Sequence, residues 1–266
     1  MRAEVHAEYR DREHWWFRAR RAIFARLLRE AIALPRHARI LDIGPGSGIN
    51  LPVLAPLGTV AVLDQDAGSL RACALAGARR LVQGDATAPP LAPGGFDLVC
   101  ALDVLEHLAD DAGALAAWRQ LLAPGGWLLL SVPALPILWG RQDVASGHVR
   151  RYRRSALAAR LFAAGLRPVR LSYFNTLLLP PIFAVRLVMR PFLRWTSRRG
   201  ASDLSLRAPA LVEEVLFRAF AAEAGWLARR DLPIGVSLLA LARAGDGSAA
   251  PAGSVQRRDG AGSPPG

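Results

Sequence analysis

Apolar residues fall in short runs along the first half of this chain, spaced like the strands of a parallel sheet. The runs are Ala38 to Ile43, Thr59 to Leu63, Arg80 to Gln83, Phe96 to Ala101 and Trp127 to Val132. Most are nearly continuous in Val, Ile, Leu or Ala, as suits strands buried on both faces. Helical stretches lie between them. The one from about Asp110 to Leu122 is stopped by Pro124-Gly125-Gly126. Strands alternating with helices predict an α/β fold. An N-terminal helix, about His14 to Leu34, opens on Trp15, Trp16 and Phe17. After the fifth strand come a loop, 133–154, and a helix, Ser155 to Ala164, with Ser155 placed as its N-cap. A sixth strand, about Pro168 to Phe174, an insertion over 175–233 and a last strand, Val236 to Arg243, complete the pattern.

The first strand runs straight into Gly44-Pro45-Gly46-Ser47-Gly48 and then a predicted helix. Glycine lets a ligand approach the backbone and tolerates positive φ. A following helix offers free N–H groups and a positive dipole end, so a nucleotide-like cofactor is expected here. The dinucleotide fingerprint is G-x-G-x-x-G. Here the pattern is G-x-G-x-G, with Ile49 where the third dinucleotide glycine belongs and Asp42 ahead of the first. Asp64 closes the second strand, about 20 residues past the first glycine, where a carboxylate accepts both ribose hydroxyls of a nucleoside. Asp66 is a weaker candidate beside it. Asp85 follows the third strand in Gly84-Asp85-Ala86, placed either to accept from an adenine amino group or to cap the next turn.

Together, LDIGPGSG, VLDQD, QGDA, FDLVCALDVLEHL and LAPGGWLLLSVP resemble the class I S-adenosylmethionine-dependent methyltransferases, in the order and spacing of that family. The resemblance covers roughly residues 38 to 133. The flanks EHWWFRARR and LWGRQDVASGHVRRYRRSAL resemble a bacterial subgroup whose acceptors are undefined. The resemblance implies a Rossmann-like, seven-stranded, mostly parallel sheet with helices on both faces. It also implies a final antiparallel pair, with a cap inserted between the last two strands over the substrate site. S-adenosyl-L-methionine is the implied cofactor, with Asp42, Gly44, Gly46, Gly48, Asp64, Gln65, Asp85, Ala86 and Leu102 as its contacts. Five segments follow: an N-terminal helical lid, 1–37; a cofactor-binding core, 38–174; a basic apolar cap, 175–233; the last core strand, 234–243; and a tail, 244–266, rich in Gly, Ser, Pro and Ala and expected to be disordered.

Methyl transfer is an in-line displacement on a sulfonium. The protein must align donor and acceptor and exclude water. An oxygen or nitrogen acceptor also calls for a general base. His148 is the candidate base, because histidine titrates near neutrality. Asp143 and Tyr152 stand in the same loop and complete the catalytic set. The competing reading pairs these residues with one another to order the loop. Glu106-His107 belongs to the family signature and reads as structural or as part of the cofactor loop. No metal site is expected, since Glu106 and His107 are adjacent and no second histidine falls at ligand spacing. No serine sits in a G-x-S-x-G elbow. Trp15 and Trp16 are placed either as a lid or as anchors for the N-terminal helix.

Charge changes the picture in one segment. The chain has 266 residues and a net charge of +12, and its 34 basic residues are all arginine. Residues 141–200 hold 13 arginines and one acid, Asp143; the remainder holds 21 of each sign. Arginine binds phosphate and carboxylate bidentately, so this segment favours an anionic partner. It also holds the uncharged stretch Leu171 to Val185, where Pro180 and Pro181 are expected to break any helix. Arg186, Arg190 and Arg194 then recur every four residues among apolar positions. The segment 171–199 reads either as a basic amphipathic surface on an anionic membrane or as a cap whose apolar face packs on the sheet. Nucleic acid is disfavoured by the apolar content and by the lack of an RNA-binding appendage. The two cysteines, Cys73 and Cys100, cannot form a disulfide framework. Met1 to Arg12 lacks the apolar core of a signal peptide, and no apolar run reaches the ~20 residues of a membrane span. The expected enzyme is cytoplasmic, with the inner membrane face as a peripheral site. It methylates a small molecule, on oxygen in preference to nitrogen or carbon, and a lipid-like or anionic acceptor fits the arginine-rich apolar segment. The alternatives are an RNA or protein methyltransferase, or a non-catalytic S-adenosylmethionine-binding protein.

Overall fold

The computed structural model describes residues 14–184 and 209–245. The expectations for the first twelve residues, for Arg186, Arg190 and Arg194, and for the tail beyond Gly245 lie outside the described residues. The strands are β1 (Ala38–Ile43), β2 (Gly58–Asp64), β3 (Arg80–Gln83), β4 (Phe96–Leu102), β5 (Leu122–Pro133), β6 (Leu166–Phe174) and β7 (Ser237–Ala244). They form one seven-stranded sheet in the order β3-β2-β1-β4-β5-β7-β6. β1 pairs in parallel with β2 and β4, β2 with β3, and β4 with β5. β7 runs antiparallel between β5 and β6. The Rossmann-like, mostly parallel sheet implied by the sequence is therefore present.

Helices cover both faces. Helix α1 (Trp15–Ala31) buries Ala19, Ile23, Phe24, Leu27 and Leu28, a stripe at helical spacing. With α7 (Ala210–Leu227), which contributes Phe220, Ala224 and Leu227, it covers Ile40, Leu98, Leu129 and Leu239 of the sheet. The opposite face is covered by α4 (Asp111–Leu121) through Leu115, Trp118 and Leu121, and by α6 (Arg154–Ala163) through Leu157 and Leu161. α3 (Ala67–Leu75) packs Leu70 and Cys73 on Val62. Each large apolar side chain fully buried this way stabilises the fold by about 1.5–3 kcal/mol.

Five local expectations are corrected. The glycine turn leads into only four helical residues, α2 (Leu51–Leu54), followed by a 3-10 turn over Ala55–Leu57, because Pro56 has no N–H to continue the ladder. Pro124-Gly125-Gly126 is absorbed into β5 at a register shift between Phe96 and Leu98, rather than separating helix from strand. Ser155 lies inside α6; its N-cap is Arg153, without a side-chain cap bond. The loop 133–154 contains a 3-10 turn, Pro136–Leu138, and a short helix, α5 (Arg141–Ser146). Pro180 and Pro181 also open a helix at 179–184 rather than break one. Proline is tolerated in a first turn, where its missing N–H has no partner to lose. No described helix is long and apolar enough to cross a membrane.

Candidate active site

Strand order reverses beside β1, which has β2 on one side and β4 on the other. Open α/β sheets bind ligands at such a point, outside the carboxyl ends of the strands. A cavity of about 530 Å3 opens there. Gly44, Pro45, Gly46, Ser47 and Asn50 line one side, with Leu102 and Asp103 at the end of β4. Gly44 has φ +62 and donates its N–H to the Leu63 carbonyl at 2.9 Å. A Cβ there would stand 2.6 Å from Val104. At Gly46, φ +55, an added Cβ would meet nothing within 4 Å. The backbone there faces open space, as a ligand cradle requires.

Asp42 lies beneath this turn, 1 % exposed, and neither carboxylate oxygen has a hydrogen-bond partner among the described residues. Burial, and then the nearby Asp64 charge, push its pKa up to about 7. An orphaned buried carboxylate is costly unless a cation or donor meets it. The ammonium of an amino-acid moiety fits that requirement. Asp64 ends β2, and its Oδ1 accepts the Asp66 N–H at 2.9 Å. Asp66 itself caps α3 through Gly68 and Ser69. The Gln65 carbonyl accepts from the Gln83 side chain at 3.2 Å. Asp85 accepts the Thr87 N–H at 2.8 Å, the turn-forming alternative for this residue, and the Ala86 carbonyl accepts the Trp118 indole N–H at 2.8 Å. Of the predicted cofactor contacts, Gly44, Gly46 and Leu102 line the cavity, while Asp42, Gly48, Asp64, Gln65, Asp85 and Ala86 are outside its lining. The order β3-β2-β1-β4 sets the last four in a row with Gly44 and Leu102 along one sheet edge. Gly48 closes the turn, donating to Pro45 O at 3.0 Å. The donor and acceptor set fits a nucleoside joined to an amino acid.

The opposite end of the cavity is polar. Glu106, His107, Gln142, Ser146, His148 and Arg151 line it. His148 Nδ1 is 2.9 Å from Asp143 Oδ1. A carboxylate only accepts, so this bond places a proton on Nδ1, and in the neutral ring the lone pair is then on Nε2. Asp143 is fully buried and also accepts from Arg151 Nε at 2.7 Å and Gly140 N–H at 2.8 Å. Burial raises its pKa, but the bond from His148 and the Arg151 guanidinium outweigh burial and hold it below the usual range. His107 stands edge-on to His148 with ring centroids 4.8 Å apart. Burial, and then the neighbouring His148, lower its pKa to about 4. Glu106 is fully buried, its Oε1 stands 3.8 Å from His148 Nε2 without a hydrogen bond to either oxygen among the described residues, and burial followed by Asp103 raises its pKa well above the carboxylate range. Glu106, His107 and His148 each offer a donor atom within 4.8 Å of the other two, a composition able to hold a divalent ion. Sequence spacing could not reveal this set, because the second histidine arrives from the loop after β5.

Tyr152 is placed elsewhere. Its hydroxyl donates to Asp111 at 2.8 Å, inside a knot where Arg150 and Arg160 reach the same carboxylate at 2.7 and 3.0 Å. The ring is 3 % exposed and does not line the cavity. Its role in this geometry is to fasten the loop to α4.

The remaining wall is apolar: Trp15, Trp16 and Phe17 from α1, Leu178, Pro181 and Ile182 after β6, Leu216 from α7, and Val236. Trp16 also packs on Phe220, ring centroids 5.1 Å apart, so it is both wall and anchor. Sequence reasoning missed Arg20. Its Nη2 lies 2.6 Å from Asp103 Oδ2 and 2.9 Å from Ser131 Oγ, buried at the cavity edge. Nothing local marks it among Arg18, Arg20 and Arg21. Only the docking of α1 on β4 and β5 selects it.

Comparison with known proteins identifies the family. A family model described as a methyltransferase domain matches residues 14–171. The chain belongs to that family, within the class I S-adenosylmethionine-dependent methyltransferases. A ubiquinone biosynthesis O-methyltransferase of Bordetella bronchiseptica is 35% identical over 100 residues, covering 35% of this chain and 42% of that protein. One from Xanthomonas campestris is 36% identical over 107 residues, 38% of this chain and 44% of that protein. The chain thus spans less than half the length of these relatives. Among solved structures, geranyl diphosphate C-methyltransferase from Streptomyces coelicolor aligns with a TM-score of 0.55 at 13% identity, over 85% of this chain and 75% of that one. The cyclase SpnF aligns with a TM-score of 0.56 at 20% identity, over 85% and 81%. These two likenesses concern the fold.

Proposed function

We propose that this protein methylates a hydroxyl of a small, largely apolar acceptor, using S-adenosylmethionine. The observation that carries the reading is one continuous cavity. It joins the glycine turn, which Asp42 underlies, at one end to an Asp143-held His148 at the other. When bound, S-adenosylmethionine supplies an electrophilic methyl group on a sulfonium, which an acceptor oxygen displaces in line. Gly44, Gly46 and Leu102 would cradle the amino-acid and sulfonium region, with Asp42 beneath facing the ammonium. Asp64 would accept the ribose hydroxyls, and Asp85 with Ala86 would border the base. Arg20, buried at the same edge, supplies a guanidinium for the amino acid's carboxylate.

His148 Nε2 takes the proton that the acceptor hydroxyl loses, and Asp143 holds the ring and stabilises the imidazolium that forms. Trp15, Trp16, Leu178, Ile182 and Leu216 exclude water and hold the acceptor's apolar body. In this reading residues 1–37 act as the lid and 175–233 as the cap. The apolar wall and the clustering of arginine in 141–200 favour a lipid-like acceptor, taken up at an anionic membrane surface through 171–199. The names of the ubiquinone O-methyltransferase relatives support oxygen as the methylated atom. The test is a methyl-transfer assay with labelled cofactor against extract fractions of lipid, RNA, protein and small metabolites. Label in the lipid fraction, on oxygen, is the expected result. Label in RNA or protein would overturn the acceptor class, and label in no fraction would leave a binding protein without transfer.

A further inference from the structure

Glu223 sits in the C-terminal half of α7, fully buried, and does not line the cavity. Its carboxylate instead accepts three consecutive backbone N–H groups just after β6: Asn175 at 2.6 Å, Thr176 at 2.7 Å and Leu177 at 2.8 Å. Three donors converging on one carboxylate form an anion nest, filled here by the protein's own side chain. Asn175 turns the chain at φ +60. Immediately beyond the nest come Leu178, Pro181 and Ile182, which are cavity wall. Thr176 Oγ1 ties the same turn to the Ile234 carbonyl, and Val236 N–H donates to the Asn175 carbonyl at 3.3 Å.

The other contacts of α7 show why the carboxylate matters. Leu216, Phe220 and Glu223 stand at i, i+4 and i+7, so they share one helix face. Leu216 lines the cavity. Phe220 packs on Trp16 at 5.1 Å and stacks on Phe174 at 6.0 Å. One face of α7 therefore reaches three parts of the apolar wall: directly at Leu216, through Phe220 at Trp16, and through Glu223 at the backbone that leads into Leu178 and Ile182. Apolar packing alone does not fix the azimuth of a chain leaving a strand. Three charge-assisted bonds at under 3 Å do.

We propose that Glu223 is a positioning residue for acceptor binding: it sets the wall formed by residues 178–182 without touching the acceptor or the cofactor. The inference rests on the reading of that wall as the acceptor site, and it makes no demand on the cofactor half. Glu223→Gln keeps the volume but turns one acceptor oxygen into a donor facing N–H groups. Glu223→Asp keeps the charge and retracts it by one methylene.

The experiment compares both variants with the wild type in three measurements, after circular dichroism confirms folding. Hydrogen exchange reads the amides of 175–177. Calorimetry reads S-adenosylhomocysteine affinity. Tryptophan quenching by 2-naphthol, a stand-in for an apolar hydroxylated acceptor, reads the wall. Glu223→Gln is expected to speed exchange at 175–177 at least tenfold and weaken 2-naphthol binding at least fivefold. S-adenosylhomocysteine affinity should stay within about twofold, and Glu223→Asp should fall between. Faster exchange with unchanged 2-naphthol affinity overturns the proposal, and so does an equal loss of both ligands. Failure of both variants to fold also overturns it, since Glu223 would then be a stability residue. If the wild type binds S-adenosylhomocysteine but not 2-naphthol, the fault lies with the acceptor reading, and exchange at 175–177 still reports on the carboxylate.

Discussion

The two ends of the cavity are built in opposite ways. The cofactor end is mostly backbone: glycines at positive φ, strand ends and a carboxylate with no partner among the described residues. The acceptor end is mostly side chains, brought from α1, the loop after β5, the turn after β6 and α7. Backbone at the end of parallel strands is fixed by the sheet itself, so the cofactor end needs few side chains to hold its shape. The acceptor end has no such frame. It depends on Asp143 bonding His148, on Phe220 packing Trp16 and on Glu223 holding 175–177. Binding of cofactor and turnover of acceptor should therefore fail separately.

The largest separation is expected at His148. His148→Ala should lower kcat by roughly 10²–10⁴-fold, the usual contribution of a positioned base, while S-adenosylhomocysteine affinity holds. Steady-state kinetics beside calorimetry check this, and unaltered turnover would leave His148 with loop order alone. The converse change is Asp64→Ala. Loss of two charge-assisted hydrogen bonds should weaken cofactor binding by about 2 to 4 kcal/mol, with a smaller change in kcat at saturating cofactor.

A third, smaller effect concerns the membrane. Replacing Arg186, Arg190 and Arg194 with glutamine should remove about 1 kcal/mol of attraction each to anionic vesicles, more at low salt. Cosedimentation with anionic and neutral vesicles measures it. If wild-type protein stays in the supernatant at physiological salt, the segment is a cap only, and the same changes should alter KM.

The smallest effect is in pH. Asp42 has a pKa raised to about 7 by burial and then by Asp64. Folded protein therefore holds a proton that the unfolded chain releases near pH 4. This stability contribution is present at low pH and lost as pH rises through 7. A bound ammonium favours the ionised form, so cofactor binding releases that proton. Affinity should rise by less than about tenfold between pH 6 and 7.5. Titrations in buffers of different ionisation enthalpy count the proton, and a flat profile would separate Asp42 from the ammonium.

Much of the cofactor end is legible in the sequence because it is local. Gly44, Gly46 and Asp42 lie within five residues, and Asp64 and Asp85 each follow an apolar run. The strand boundaries at Ala38–Ile43 and Arg80–Gln83 match the structure. Boundaries slipped where proline and glycine allow two outcomes, as at Pro124-Gly125-Gly126, which the pairing of β5 with β4 decides. The acceptor end is less legible because its groups are far apart in sequence. His148 and Asp143 share a loop and were found. Arg20, Leu216 and Glu223 act through tertiary contacts and carry no local mark. Tyr152 looked like its neighbours, but the fold turns it toward Asp111.

The central claim is that one end of this cavity holds S-adenosylmethionine independently of the chemistry at the other. The most direct measurement is calorimetry of S-adenosylhomocysteine and of NAD with wild type, His148→Ala and Asp64→Ala. The account predicts micromolar S-adenosylhomocysteine binding that His148→Ala retains and Asp64→Ala loses, with no heat from NAD. Micromolar NAD binding with no response to S-adenosylhomocysteine would contradict it.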